Sequence, residues 1–118
     1  MVNLDYSSMT GNPATNLSSS DIISGWKTVL PGFTNTHHQI GNFIIKVNEN
    51  KANAFCYGTA THFIEGNENP IWTVIGSYDF ELERLKNRWK IKTMKFNHKH
   101  QSGNNKLVEQ AIKNVKEN

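Results

Sequence analysis

The side chains best suited to proton chemistry in this 118-residue chain are two histidines, His38 and His62, and two tyrosines, Tyr6 and Tyr78. An imidazole changes charge near neutral pH and can act as base or acid. A phenol donates a hydrogen bond to an oxygen that gathers negative charge. His38 lies in Thr36-His37-His38-Gln39-Ile40-Gly41-Asn42, and His62 closes the run Thr59-Ala60-Thr61-His62. The polar turn Asn48-Glu49-Asn50 separates these two strand-like segments. Reflection about that turn sets residue 38 roughly opposite residue 60, which makes His38 and His62 diagonal neighbours on one face. A lone sheet histidine is usually structural, whereas two meeting on a small-residue face point to proton transfer. His37 faces the other way by alternation and is expected to be inert.

Other candidates carry less. Cys56 shares the face of His62 but lies six residues away, roughly 20 Å along a strand, so a Cys–His nucleophile pair is not expected. His98 and His100 share a strand face near a sheet end. A metal needs three or four converging ligands; His38 and His62 supply two without a third, so no metal is expected. No glycine-rich phosphate loop and no serine elbow occurs, and no cofactor is expected. Taken singly, Tyr6 and Tyr78 each read first as core aromatics with satisfied hydroxyls, and second as acids or hydrogen-bond donors.

Positioning these groups falls to the strands and helices around them. Val2 to Met9 reads as a short strand with Val2, Leu4 and Tyr6 on one face, broken by Gly11-Asn12-Pro13. Ser18 and Asp21 have capping-box spacing. Ile22, Ile23, Trp26, Val29 and Leu30 then form one apolar helical face, stopped by Pro31-Gly32. Phe33 to Val47 is extended, with Gly41 marking a bulge or a close approach. From Asn53 to Phe63 the small residues Ala54, Cys56, Gly58 and Ala60 share a face with His62. Trp72, Val74, Gly76, Tyr78, Phe80 and Leu82 share the apolar face of a long strand, with Ser77, Asp79 and Glu81 on the wet one. Trp89 and Ile91 open the last strand, whose parity slips near Thr93 as a bulge would make it. Leu107, Val108, Ala111, Ile112 and Val115 mark a terminal amphipathic helix. The layout is a single α+β domain over residues 1–118.

Composition narrows the function classes. The net charge is +3, and Arg84, Lys86, Arg88, Lys90, Lys92, Lys95 and Lys99 concentrate it late in the chain. Their alternation with Trp89, Ile91 and Met94 makes them the wet face of a hairpin, so no nucleic acid is expected as partner. One cysteine excludes an internal disulfide and suits a reducing, cytoplasmic compartment. No basic leader and no long apolar run is visible, so no membrane span is expected.

Leu4-Asp5-Tyr6-Ser7-Ser8, the capped helix with Trp26, the His38 segment, Ala60-Thr61-His62, Gly76-Ser77-Tyr78 and Arg88-Trp89-Lys90-Ile91 together resemble the SnoaL-like branch of the nuclear transport factor two-like superfamily. The resemblance spans Leu4 to about Val115. It implies a cone-like, strongly bent antiparallel sheet around a deep pocket closed by helices. It also implies cofactor-free dehydratase, isomerase or polyketide cyclase chemistry, as in scytalone dehydratase, where a first-strand phenol and two pocket histidines match Tyr6, His38 and His62. Relatives carry helices ahead of the first strand, with a pocket Tyr and Asp that have no counterpart here. The family's Ser and Asn on the fourth long strand are replaced by Gly76 and Tyr78.

The resulting expectation is a pocket for a small apolar molecule, with His38 and His62 as base and acid and Tyr6 and Tyr78 polarising a carbonyl oxygen. Trp26, Ile40, Asn42, Ala60, Trp72, Val74 and Gly76 are its expected walls. The alternative is a non-catalytic ligand-binding or dimerisation module. In either case a homodimer is expected, because an apolar face around Phe43, Trp72, Val74 and Tyr78 is left open.

Overall fold

A computed structural model describes residues 1–118. The chain runs β1 (Val2–Asp5), α1 (Ser7–Thr10), β2 (Thr15–Leu17), α2 (Ser19–Lys27), a 3₁₀ turn (Leu30–Gly32), β3 (Asn35–Asn48), β4 (Lys51–Phe63), β5 (Ile71–Leu85), β6 (Arg88–Gly103) and α3 (Leu107–Glu117). The six strands form one sheet in the order β2-β1-β6-β5-β4-β3. This is the expected α+β cone, with four long antiparallel strands carrying most of the pairing.

The amino-terminal segment departs from the expected strand over Val2 to Met9. β1 stops at Asp5 because the Asp5 carboxylate accepts the Ser7 amide at 2.9 Å, turning the chain into α1. Such local side-chain bonding competes with a strand ladder. β1 is also parallel to β6, not antiparallel, and β2 is an additional strand paired to it. Ser8 fastens this edge: its hydroxyl donates to the Phe96 carbonyl and accepts the His98 amide, each at 2.9 Å.

Helix α2 begins as its sequence dictates, with the Ser18 hydroxyl accepting the Asp21 amide. Only Ile22 of this helix is buried; Trp26 stays 43% exposed at the rim of the sheet's concave face. The core lies deeper, where Phe33, Ile64, Trp72, Val74 and Phe96 pack with Leu107 and Ala111 of α3. Gly32 permits this closure, because a Cβ there would strike the Ala111 backbone. Asn114 adds a bond from its side-chain amide to the Gly32 carbonyl at 3.0 Å. Trp72 and Val74 are therefore covered by the chain's own helix, contrary to the expected open face. Phe43 of that expected face is exposed, and with Ile40, Ile44, Ile45 and Val47 it forms a row of exposed apolar residues on the edge strand β3.

Bulges bend the long strands. In β3 the register shifts between Gly41 and Ile44, with Asn42 in the left-handed region at φ 57°. β6 carries two shifts, opposite Glu81/Leu82 and opposite Ile75/Gly76. The first is the parity slip expected near Thr93. The second places His98 beside Gly76 and His100 beside Ile75, so these two histidines do not share a face as expected. Ser77, expected to be wet, is 2% exposed and accepts a hydrogen bond from the Asn97 side chain. No helix is long and apolar enough to cross a membrane.

Candidate active site

The concave face encloses a cavity of about 260 Å³ lined by 18 residues, 13 of them hydrophobic. That ratio selects a mostly apolar ligand with few polar anchors. Its polar groups include those picked out by their chemistry, together with Gln39 and Thr59, which were not anticipated. His38, His62, Tyr6 and Tyr78 all line it, as do Trp26, Ile40, Ala60, Trp72 and Val74. Asn42 does not: the bulge turns it to the surface. Gly76 does not either, because the Phe96 ring lies over it. Met9, Val29, Leu30, Phe33, Phe96 and Val108 belong to the wall and were not anticipated. Their apolar periodicity was visible, but which of several apolar faces meets the sheet is settled only by the crossing of η-turn, helix and strand.

The two imidazoles meet edge to face, with ring centroids 5.5 Å apart. The hairpin brings them together: His38 pairs with Ala60 and His62 with Thr36, so they are diagonal on one face. His62 is 5% exposed. It stacks on Trp72 at 4.5 Å and touches Phe33 at 4.8 Å. Its Nδ1 lies 3.1 Å from the Trp72 carbonyl oxygen. A carbonyl only accepts, so Nδ1 carries the proton and Nε2 keeps its lone pair in the neutral ring. Burial pushes the His62 pKa below its ordinary value; the Trp72 carbonyl opposes this, and the nearby His38 adds to it. His62 is thus a neutral imidazole at physiological pH with a fixed tautomer. His38, on the edge strand, is more exposed and forms the wet side of the pair. His37 pairs with Thr61 and lies outside the cavity wall.

At the other end, Tyr6 and Tyr78 flank Phe96, at centroid distances of 5.4 Å and 5.1 Å. Burial raises the pKa of both phenols, so both keep their protons and act as donors. Cys56 is fully buried, and burial raises its thiol pKa as well; it is a core residue. No group of three or more His, Cys, Asp or Glu side chains is placed to hold a metal ion.

The SnoaL-like domain family profile matches residues 2–95. Among solved structures, the Kfla4162 protein from Kribbella flavida is similar with a TM-score of 0.79 at 22% identity, covering 98% of this chain and 75% of that one. A provisionally assigned scytalone dehydratase from Novosphingobium aromaticivorans gives 0.67 at 21% identity, covering 87% and 66%. A hexachlorocyclohexane dehydrochlorinase, LinA type 2, gives 0.67 at 13% identity, covering 87% and 68%. The chain therefore spans about two thirds to three quarters of the length of these structures. No curated protein matches. At these identities the structures speak for the fold alone, while the profile covers most of the chain: this protein belongs to the SnoaL-like domain family.

Proposed function

We propose that the protein binds a small, mostly apolar cyclic molecule and catalyses a cofactor-free lyase, isomerase or cyclase reaction by imidazole and phenol chemistry. The observation that carries this reading is the His38–His62 pair, at 5.5 Å, opening into an apolar cavity with two phenols at its far end. His62 Nε2 accepts a proton from a carbon next to a carbonyl, and the Trp72 carbonyl holds the resulting imidazolium in place. Tyr6 and Tyr78 donate to the carbonyl oxygen as it gains charge, in a site poor in competing water. His38 returns or relays the proton, to a neighbouring carbon in an isomerisation or to a departing hydroxyl in a dehydration. Membership of the SnoaL-like family, whose profile matches residues 2–95, supports this reading.

Proton abstraction is the step common to these reactions, and it can be followed without knowing the substrate. Cyclic ketones such as cyclohexanone and 1-tetralone, incubated with the protein in deuterated water, should exchange their α-protons faster than in buffer. His62→Gln should abolish the acceleration. Acceleration that survives this substitution, or its absence with every ring ketone tried, overturns the proposal. A binding or dimerisation module without catalysis would bind such ketones and leave their protons in place.

A further inference from the structure

We propose that the cross-strand glycine pair Gly58–Gly76 sets the ligand specificity of this cavity, by letting the rings of Tyr78 and Phe96 close down over the sheet so that Tyr78 becomes the nearer oxygen-binding donor, one ring's width from His38. The inference rests on the function proposed above. It adds which phenol meets the ligand, what positions it and what size of ligand fits.

Gly58 and Gly76 are directly paired in the β4–β5 ladder. A Cβ on Gly58 would sit 2.7 Å from Tyr78 Cε2, so the Tyr78 ring folds across β4 above the glycine. A Cβ on Gly76 would strike the Phe96 ring, which likewise lies across β5. Two adjacent positions without side chains thus leave room for the edges of both rings, which meet at 51°, and any other residue would push both away from the sheet. Phe96 in turn supports Tyr78 on one side and Tyr6 on the other.

The strand order ranks the two phenols. The imidazoles stand on β3 and β4, Tyr78 on β5, Phe96 on β6, and Tyr6 follows β1 beyond them. Tyr78 is therefore the phenol nearer the reacting end. Tyr6 lies on the far side of Phe96 from Tyr78, with ring centroids 5.4 Å and 5.1 Å from the Phe96 ring. Tyr6 is the more distant donor in this arrangement.

The ladder also sets the span. The Tyr78 ring lies over Gly58, two residues along β4 from Ala60, the partner of His38. Two strand residues measure roughly 7 Å. That length takes one six-membered ring between the phenol and His38, the nearer imidazole. A cavity of about 260 Å³ holds such a ring with room beside it. The ligand class is a single-ring compound with one carbonyl or phenolic oxygen.

The test uses 4-nitrophenol, its oxygen-free match 4-nitrotoluene and the two-ring 2-naphthol, with binding read by calorimetry and phenol ionisation by absorbance. The wild-type protein should bind 4-nitrophenol as its phenolate, with its apparent pKa lowered, and should bind 2-naphthol more weakly. Tyr78→Phe should weaken 4-nitrophenol by on the order of tenfold to a hundredfold, the range for a hydrogen bond to a charged acceptor, and leave 4-nitrotoluene unchanged. Tyr6→Phe should weaken it less. Gly58→Ala should reproduce the Tyr78→Phe loss, and the double variant should lose no more than either single one. Gly58→Ala with full preference for 4-nitrophenol overturns the role of the glycine pair. So does a double variant whose losses simply add. Should Gly58→Ala not fold, the shape-conserving Tyr78→Phe still decides the donor assignment. Binding of 4-nitrotoluene without preference for 4-nitrophenol refutes this inference and leaves the cavity reading intact. Failure of all three probes to bind refutes both.

Discussion

Replacing His62 with Phe separates the packing role of this residue from its proton. A phenyl ring keeps the stack on Trp72 and the contact with Phe33. It removes the donor to the Trp72 carbonyl, and a buried acceptor left unpaired costs about 1–3 kcal/mol. Greater apolar burial of the phenyl offsets part of that, on the order of 1 kcal/mol. At pH 8 His62→Phe should therefore be less stable by about 1 kcal/mol, or about 4 °C in Tm for a domain of this size. The gap should change with pH. Burial lowers the His62 pKa in the folded protein, while in the unfolded chain the ring titrates near its ordinary value of about 6.5. Between those two values the unfolded chain binds the extra proton, so wild-type stability falls as pH falls. His62 contributes in full above about pH 6.5, and its contribution is lost as pH drops towards and through the folded value. The Phe variant has no such proton, so its disadvantage should shrink on acidification and can reverse. Each tenfold weakening of proton affinity is worth about 1.4 kcal/mol. Urea unfolding followed by Trp fluorescence at pH 8 and pH 5, repeated in a His38→Gln background to remove the neighbouring charge, measures the gap. A gap that is constant or widens at pH 5 would mean that folded His62 takes up its proton as readily as the unfolded chain, and the neutral-base assignment would fall.

Gly32→Ala should cost about 1–3 kcal/mol of stability, since the new methyl meets the Ala111 backbone and pushes α3 off the core; an unchanged urea midpoint would show that α3 yields without loss. We propose a homodimer that covers the exposed apolar row Ile40, Phe43, Ile44, Ile45 and Val47 on β3. Light scattering at tens of micromolar should give twice the chain mass, and Phe43→Lys should give monomers. A wild-type monomer at that concentration excludes the dimer.

The meeting of His38 and His62 was legible in the sequence, but for an incomplete reason. A turn centred on Glu49 sets residue 38 against residue 60. The real turn is the two-residue Glu49-Asn50, with Asn48 paired to Lys51. Continued without interruption, that register would set residue 38 against residue 61 and residue 37 against His62, and side chains alternate faces strictly. The bulge at Asn42–Phe43 adds one residue and restores the pairing of His38 with Ala60. The catalytic candidate is thus His38 and not His37 because of that bulge, which Gly41 only hinted at. Period-two patterning carried the long strands well, since Trp72, Val74 and Tyr78 are bound to one face by alternation. Tertiary choices were invisible to it: the parallel β1–β6 pair, the lid made by α3, and the second slip in β6 that parts His98 from His100.

The pairing of β1 with β6 has a consequence for how the molecule is made. Tyr6 leaves the ribosome long before Phe96, which defines its place, and Ser8 closes bonds across sequence separations of 88 and 90 residues. Such distant contacts gain nothing until the chain between them is ordered, and they slow folding. The β3–β4 hairpin that joins the imidazoles is local and can form early. The phenol end must wait for β6. During synthesis the imidazole pair can therefore form before the phenol wall, and β1, with its apolar Val2 and Leu4, has only β2 to pair with until β6 emerges. Shortening β6 from its far end should for this reason trap a species with its hairpin formed and its first strand free.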